Sequence, residues 1–197
     1  MKIDFKKTVD AYSARRGRCD IVRVPPLDYL MVDGHGDPNT APAYGAAMAT
    51  LYPLAYALKF LSKVDLRRDH VVMPLEALWW SDDMAAFTTG RDKTRWQWTL
   101  MIMVPEWITH EHLETAAFRK DLDLGSVRLE RLDEGLCVQT LHVGAFDDEG
   151  PVLRRLHHEV LPGAGLRPSG RHHEVYLTDP RRTAPEKQHT ILRQPVS

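Results

Sequence analysis

The segment His172-His173-Glu174-Val175-Tyr176-Leu177 runs into Thr178-Asp179-Pro180 and predicts a short strand followed by a turn. Because side chains alternate along a strand, Glu174 and Tyr176 share one face. If that face looks into an apolar cavity, the carboxylate and the phenol form an acid–base and hydrogen-bonding centre. If it looks into water, the segment is an ordinary edge strand. The function of the chain depends largely on which orientation is correct.

The rest of the chain repeats one order of elements, strand-helix-strand-strand. A first module covers about residues 19–108 and a second about 109–197, while residues 1–18 form an N-terminal arm that packs over the domain. Neither module can bury its sheet face alone, so the two are expected to pack as a pseudo-twofold pair with a central ligand groove. The pattern predicts a single α+β domain over residues 1–197.

Helices are predicted over about 42–62, after Thr109 and over about 149–161. In the first of these, leucines recur every three or four residues as a buried stripe, and Pro53 is expected to kink or divide the helix. Thr109 is a suitable N-cap for the second. The clearest strand runs from Trp96 to Val104.

The composition excludes several classes of partner. A net charge of -1 and a pI near 6.8 give no electrostatic reason to expect nucleic acid or an anionic membrane. There is no apolar run long enough to span a bilayer and no signal-peptide pattern. Two isolated cysteines, Cys19 and Cys137, fit a reduced, cytoplasmic protein. We expect a monomer or a homodimer.

Aromatic residues cluster on two neighbouring predicted strands, where Trp79 and Trp80 end the first and Trp96 and Trp98 begin the second. The cluster is either a tryptophan-rich core or the wall of an apolar pocket. Trp and Met suit such a wall because they accept flat ligands of varied shape. The predicted ligand-binding residues are Glu76, Trp79, Trp80, Trp98, Met101 and Tyr44.

Two carboxylates are candidates for chemistry. Glu76 is flanked by apolar residues, so it either faces solvent or is held in a site. Glu174 is the stronger candidate because Tyr176 stands beside it on the same face. A carboxylate removed from water is a better base near neutral pH, and Tyr176 could donate a hydrogen bond to the ligand or to a water held by Glu174.

Ten histidines raise the question of a metal site, which their spacing does not support. His110 and His112 fall on different helix faces, and the adjacent pairs His157-His158 and His172-His173 point apart. We therefore expect polar surface or strand-edge histidines and no metal or cofactor. His142 lies in an apolar strand, as a buried hydrogen-bonded residue or a pocket residue.

Short motifs along nearly the whole chain resemble one family. They include Pro74-Leu75-Glu76-x-Leu78-Trp79-Trp80, the Glu174 segment quoted above and Thr190-Ile191-Leu192-Arg193-x-Pro195-Val196. Together they are similar to motifs of the GyrI-like small-molecule-binding proteins, in the stand-alone branch without a DNA-binding domain. The resemblance implies a duplicated strand-helix-strand-strand fold with a central groove for lipophilic aromatic ligands.

The resemblance also implies an activity. Some stand-alone members are hydrolases that open the cyclopropane ring of cytotoxic, DNA-alkylating natural products. Glu174 would then position or deprotonate a water, and Tyr176 would support that water or polarise the ligand's carbonyl. Trp79, Trp80 and Trp98 would hold a flat aromatic body, with Glu76 as a second carboxylate in the groove.

Three functions remain open at this point. The first is a detoxifying hydrolase for hydrophobic electrophiles, and the second is a protein that sequesters amphipathic drugs without turnover. The same groove serves both. The third is a protein-interaction role, such as binding a topoisomerase, which would require an exposed apolar or acidic patch that the sequence does not reveal.

Overall fold

The computed structural model describes residues 2–82 and 92–197. Its strands are β1 Lys2–Ile3, β2 Asp20–Val24, β3 Leu27–His35, β4 Asp69–His70, β5 Leu75–Trp80, β6 Gln97–Val104, β7 Arg128–Leu132, β8 Gly135–Val143, β9 His172–Tyr176 and β10 His189–Pro195. Its longer helices are α1 Pro42–Val64 and α2 His110–Lys120. A third helical segment consists of α3 Gly150–Arg155, a π-helical turn Leu156–Val160 and α4 Leu161–Gly163.

One large sheet organises the molecule. Eight strands pair antiparallel in the order β2-β8-β10-β9-β5-β6-β3-β7, while β1 and β4 form a small parallel pair. The predicted α+β class is confirmed. Strand β9, which carries Glu174, lies between β10 and β5. It is therefore an interior strand, and the edge-strand alternative is wrong.

Helix α1 covers one face of the sheet. Leu51, Leu54 and Leu58 are completely buried, as their spacing predicts. Pro53 lies inside the helix without dividing it. The buried leucines on both sides of Pro53 hold the two halves against the core, and this packing outweighs the missing backbone hydrogen bond.

The second helix begins where its capping chemistry predicts. The Thr109 hydroxyl accepts a hydrogen bond from the His112 backbone N–H at 3.3 Å, and His112 Nδ1 accepts one from the Thr109 N–H at 3.1 Å. These reciprocal bonds satisfy donors that a helix N-terminus otherwise leaves unpaired. The left-handed Asp121 ends the helix.

The N-terminal arm packs against the opposite face of the sheet from α1. Tyr12 is buried, and its hydroxyl reaches Glu76 on β5. The backbone of the arm also bonds to the sheet, because Ser13 O accepts from Gln139 Nε2 at 2.9 Å. These contacts hold the arm against the sheet at Tyr12 and Ser13.

Gly34 is required by the close approach of an indole. Gly34 and Trp98 are cross-strand partners, and a Cβ at position 34 would fall inside the Trp98 ring system. We expect Gly34→Ala to lower the free energy of unfolding by about 1–3 kcal/mol, because the buried indole must move. Urea titration measures this change. Gly45→Ala in α1 is the matched control, since a Cβ there meets nothing, and it should stabilise the protein by about 0.5–1 kcal/mol. Equal stability of Gly34→Ala and wild type would contradict the close-approach explanation.

Candidate functional site

Strand register brings four of the predicted site residues to one face of the sheet. Ala77 pairs with Glu174, and Trp79 pairs with Trp98. Because directly paired residues share a face and alternate residues return to it, Glu174, Tyr176, Trp79 and Trp98 all lie on the face covered by α1. We call this the aromatic face.

A hydrogen-bonded chain runs through the centre of the aromatic face. The Tyr176 hydroxyl donates to Glu174 Oε2 at 2.8 Å, and Trp79 Nε1–H donates to the Tyr176 oxygen at 3.1 Å. The Glu174 side chain is 12% exposed and Tyr176 is 8% exposed. The pair is therefore turned inward, away from bulk water. Tyr176 fixes one carboxylate oxygen of Glu174.

Rings from several elements surround this chain. Tyr44 on α1 stacks on Trp79 with centroids 6.2 Å apart, and it meets the edge of Trp98 at 5.2 Å. Trp96 packs edge-on to Trp79 at 5.6 Å, and Phe146 packs edge-on to Tyr176 at 5.4 Å. The carboxylate thus stands in an apolar, polarisable wall.

Both phenols on this face keep their protons over a wide pH range. Burial raises the pKa of Tyr176 well above its usual value of 10.0, and the Glu174 charge raises it further. Burial and Glu174 likewise raise the pKa of Tyr44. Because each hydroxyl stays protonated, each can donate a hydrogen bond to a ligand or to a carboxylate.

Three predicted ligand residues lie on the other face. Glu76 pairs with Val175 and Met101, which places Glu76 and Met101 opposite Glu174. Trp80 alternates with Trp79 and therefore also points away from the aromatic face. The prediction that these three residues join Glu174 in one groove is wrong. The sequence pattern showed that Glu76 and Trp80 share one face of their strand. It did not show that Glu174 lies on the opposite face of the sheet.

Trp80 has a different environment from the other indoles. The Arg171 guanidinium lies 3.6 Å from its ring centroid, and Trp80 Nε1–H donates to Gln97 Oε1 at 3.1 Å. The ring is half-buried and forms part of a shallow surface cavity of about 610 Å³. This contact is a cation–π interaction at the end of β5.

Glu76 belongs instead to a buried polar network. Its Oε1 accepts from the Tyr12 hydroxyl at 2.6 Å, and its Oε2 lies 2.9 Å from His173 Nε2. His173 Nδ1 lies 2.9 Å from both carboxylate oxygens of Glu134, in the turn between β7 and β8. The Tyr29 hydroxyl also donates a hydrogen bond to Glu76 Oε2, at 3.4 Å.

Arg193 closes the network. It donates to Glu134 Oε2 at 2.9 Å, to Gln139 Oε1 at 3.1 Å and to the Ala11 carbonyl at 2.6 Å. Glu76, His173 and Arg193 are completely buried. The prediction of a surface or strand-edge His173 is therefore wrong. We call Glu76, His173, Glu134 and Arg193 the back-face quartet.

The quartet balances its charges. Burial alone would raise the pKa of Glu134, but His173 and Arg193 outweigh burial and lower that pKa to about 2. Burial opposes protonation of His173, yet Glu134 and the bond to Glu76 raise its pKa above 6.5. Two carboxylates thus face two cations in a dry environment, which is the arrangement that buried charges require. The quartet links β5, β9, β10 and the N-terminal arm.

His142 on β8 is buried and hydrogen-bonded, as the first of the two alternatives predicts. Its Nε2 lies 2.9 Å from the Ala145 carbonyl oxygen. His142 also contributes to the wall of a second cavity, of about 470 Å³, with Arg16, Cys19 and Arg155. Neither this cavity nor the shallow one at Trp80 is lined by Glu174 or Tyr176.

Within residues 2–82 and 92–197, no group of three or more His, Cys, Asp or Glu side chains could hold a metal ion. In the same ranges, no helix has the length and apolar character needed to cross a bilayer.

Comparison with known proteins identifies the family. The model of the GyrI-like small molecule binding domain matches residues 18–196, which is nearly the whole chain. The chain belongs to the GyrI-like family. No curated protein matches the sequence. The aromatic face described above is thus part of a small-molecule binding domain.

Solved structures agree with this assignment. The GyrI-like chain is similar to an uncharacterized conserved protein from Listeria innocua, with 40% identity, a TM-score of 0.88 and full coverage of both chains. A hydrolase from Listeria innocua has 39% identity and a TM-score of 0.86, again over both full chains. The C-terminal domain of EcmrR shares only the fold, with 8% identity and a TM-score of 0.57 over 91% of this chain and 97% of that one.

Proposed function

We propose that this GyrI-like domain binds lipophilic aromatic molecules over Glu174 and opens strained electrophilic rings, such as a cyclopropane, by adding water. The observation that carries the proposal is the inward-facing Glu174–Tyr176 pair in a wall of aromatic rings. The activity would remove cytotoxic electrophiles, which is a detoxifying role. The Listeria innocua relative that is called a hydrolase, at 39% identity, supports an enzymatic reading.

The order of the strands supports the proposed groove. The sheet contains the halves β8-β10-β9 and β3-β6-β5, which meet at the pair β9–β5. In one half, α1 lies in the chain between β3 and the pair β5 and β6. In the other half, the segment α3 to α4 lies between β8 and the pair β9 and β10. We infer that the halves are duplicated modules about a pseudo-twofold axis. The ligand would then lie at their junction, above Glu174.

Binding requires Tyr44 to give way. Tyr44 stacks on Trp79 and covers the centre of the aromatic face. We propose that a flat ligand takes this stacking position while the Tyr44 ring turns aside, since a side-chain rotation is fast and costs little. A cationic ligand would gain a further 0.5–2 kcal/mol, roughly, from the indole faces beside the Glu174 charge.

The chemistry is an addition of water across one carbon–carbon bond. The water oxygen bonds to the methylene carbon of the cyclopropane, and the adjacent ring bond breaks. Its electron pair moves through the cyclohexadienone to which the cyclopropane is joined, so that the carbonyl oxygen becomes a phenolate, which then takes a proton from solvent. Glu174 takes the proton of the attacking water through the carboxylate oxygen that Tyr176 does not hold. The hydroxyl of Tyr176 keeps the carboxylate in place.

Turnover and simple sequestration are separated by one experiment. Purified protein is incubated with a cyclopropane-bearing aromatic alkylating agent, and the ring-opened product is followed by mass spectrometry beside a protein-free control. Product formed faster than in buffer supports the hydrolase. Tryptophan quenching by the compound without added product would favour a protein that only binds drugs.

Tyr176→Phe tests how the pair is held. We expect a roughly 10-fold loss of kcat, because Glu174 loses the 2.8 Å bond that fixes its orientation, with little change in affinity for the compound. Steady-state kinetics and tryptophan quenching measure the two effects separately. Tyr56→Phe, at an exposed position of α1, is the control. Unchanged kcat in Tyr176→Phe would remove the phenol from the mechanism.

A further inference from the structure

His172 lies beside Glu174 on the aromatic face and is not used in the mechanism above. Its Nε2 is 3.3 Å from Glu174 Oε1, the oxygen that Tyr176 leaves free. The side chain is 14% exposed, and neither ring nitrogen has a hydrogen-bond partner among the described residues. A buried imidazole without partners is costly, so its position calls for an explanation.

The His172 imidazole and the Glu174 carboxylate are close together but do not share a hydrogen bond. Nε2 and Oε1 are within reach, yet the imidazole is not oriented to hydrogen-bond with the carboxylate. Both atoms can therefore face one common third atom. Glu174 is thus flanked on both sides, because Tyr176 donates to Oε2 while His172 stands at Oε1.

A second histidine faces His172 from the covering helix. His157 belongs to the π-helical turn Leu156–Val160, and it is close enough to His172 for each ring to disfavour a proton on the other. Single π-helical turns inside helices are frequent at functional sites. Burial, aided by His172, lowers the pKa of His157 to about 4. His157 is therefore uncharged near neutral pH and does not repel a proton carried by His172.

We propose that His172 is a second acid–base residue of the site, which holds the attacking water jointly with Glu174 and carries its proton away. This inference rests on the proposed hydrolase function. Glu174 takes the proton of the water as the oxygen–carbon bond forms and the ring bond breaks. A water between Oε1 and Nε2 then passes that proton from Glu174 to His172, which releases it to solvent, while the phenolate takes a proton from solvent. Both residues return to their initial states.

The test compares pH profiles of variants. The kcat/KM of wild type, His172→Gln and His158→Gln is measured from pH 5 to 9 with the same cyclopropane compound. We expect His172→Gln to lose about 10²-fold at neutral pH and to lose one limb of the wild-type profile. Glu174 and His157, two titratable side chains that interact with His172, both remain in this variant. His158→Gln, an exposed neighbour of His157, should match wild type.

Chemical rescue distinguishes proton transfer from a structural role. Added imidazole should restore activity to His172→Ala by at least several-fold, with the affinity for the compound unchanged by tryptophan quenching. A reduced rate with an unaltered pH profile and no rescue would make His172 a packing residue and overturn the inference. Full activity of His172→Gln, while Glu174→Gln is inactive, would also overturn it but leave the proposed function intact. If wild-type protein does not turn over the compound, both this inference and the proposed hydrolase function are overturned.

Discussion

Glu174→Gln is expected to slow ring opening by about 10²–10⁴-fold while leaving the affinity for the compound within a few-fold of wild type. The amide has nearly the same shape and can still accept the bond from Tyr176, which is 2.8 Å long in the wild type. It cannot take a proton from water at neutral pH. The aromatic wall formed by Tyr44, Trp79 and Trp98 is unchanged, so the flat body of the ligand should still bind.

The measurement follows the ring-opened product by mass spectrometry and the affinity by tryptophan quenching. Glu159→Gln, at an exposed position of the π-helical turn, is the matched control and should behave as wild type. Equal rates for Glu174→Gln and wild type would remove the carboxylate from the reaction. A large loss of affinity together with rate would instead indicate that its charge mainly binds the ligand.

Arg193→Met is expected to produce the largest loss of stability, about 3–5 kcal/mol in the free energy of unfolding. Methionine fills much of the volume but leaves Glu134 and Glu76 with His173 as their only cation in the back-face quartet. The Ala11 carbonyl would also lose its donor. Urea unfolding followed by tryptophan fluorescence gives the value. Arg23→Met, at an exposed position of β2, should change stability by less than about 0.5 kcal/mol. A similarly small effect of Arg193→Met would mean that the quartet does not stabilise the fold.

The quartet also predicts how stability depends on pH. The pKa of Glu134 falls from 4.5 to about 2 on folding, so its contribution is complete above pH 4.5 and is lost as the pH falls toward 2. The pKa of His173 is raised above 6.5, so its contribution is complete below pH 6.5 and is lost as the pH rises through the raised value. The contribution of the quartet is therefore greatest between about pH 4.5 and 6.5.

Urea titrations at intervals from pH 3 to pH 9 test this dependence. Wild type should lose stability on both sides of the window. His173→Gln should be less stable within the window and should lack most of the alkaline decline. An alkaline decline of equal size in both proteins would show that groups other than His173 cause it.

Local patterns in the sequence were sufficient to predict several elements of the fold and part of the candidate site. The Thr109 cap and the alternation that puts Glu174 beside Tyr176 were predicted correctly, because each depends on residues a few positions apart. The prediction of three main helical segments also held. Pro53 does not divide α1, because the buried leucines around it, not the local backbone, decide whether the helix is continuous.

The back-face quartet could not be found in the same way. Alternation shows which residues of one strand share a face. It does not show which face of β5 lies beside a given face of β9, because that depends on the register between strands about 100 positions apart. Glu76 was therefore grouped with Glu174. One signal was present in the sequence: Arg193 directly follows the apolar pair Ile191-Leu192 inside a predicted strand. A cation in such a place requires a buried partner, and Glu134 supplies it.

If a ligand reacts over Glu174 on the aromatic face, a structure of Glu174→Gln with an unreacted cyclopropane compound should show the ligand there. We expect the flat body to stack on Trp79 in the place of Tyr44, with the ring methylene carbon about 3–4 Å from a water held at position 174. A compound bound elsewhere, such as in the cavity beside Arg16 and Arg155, would contradict it.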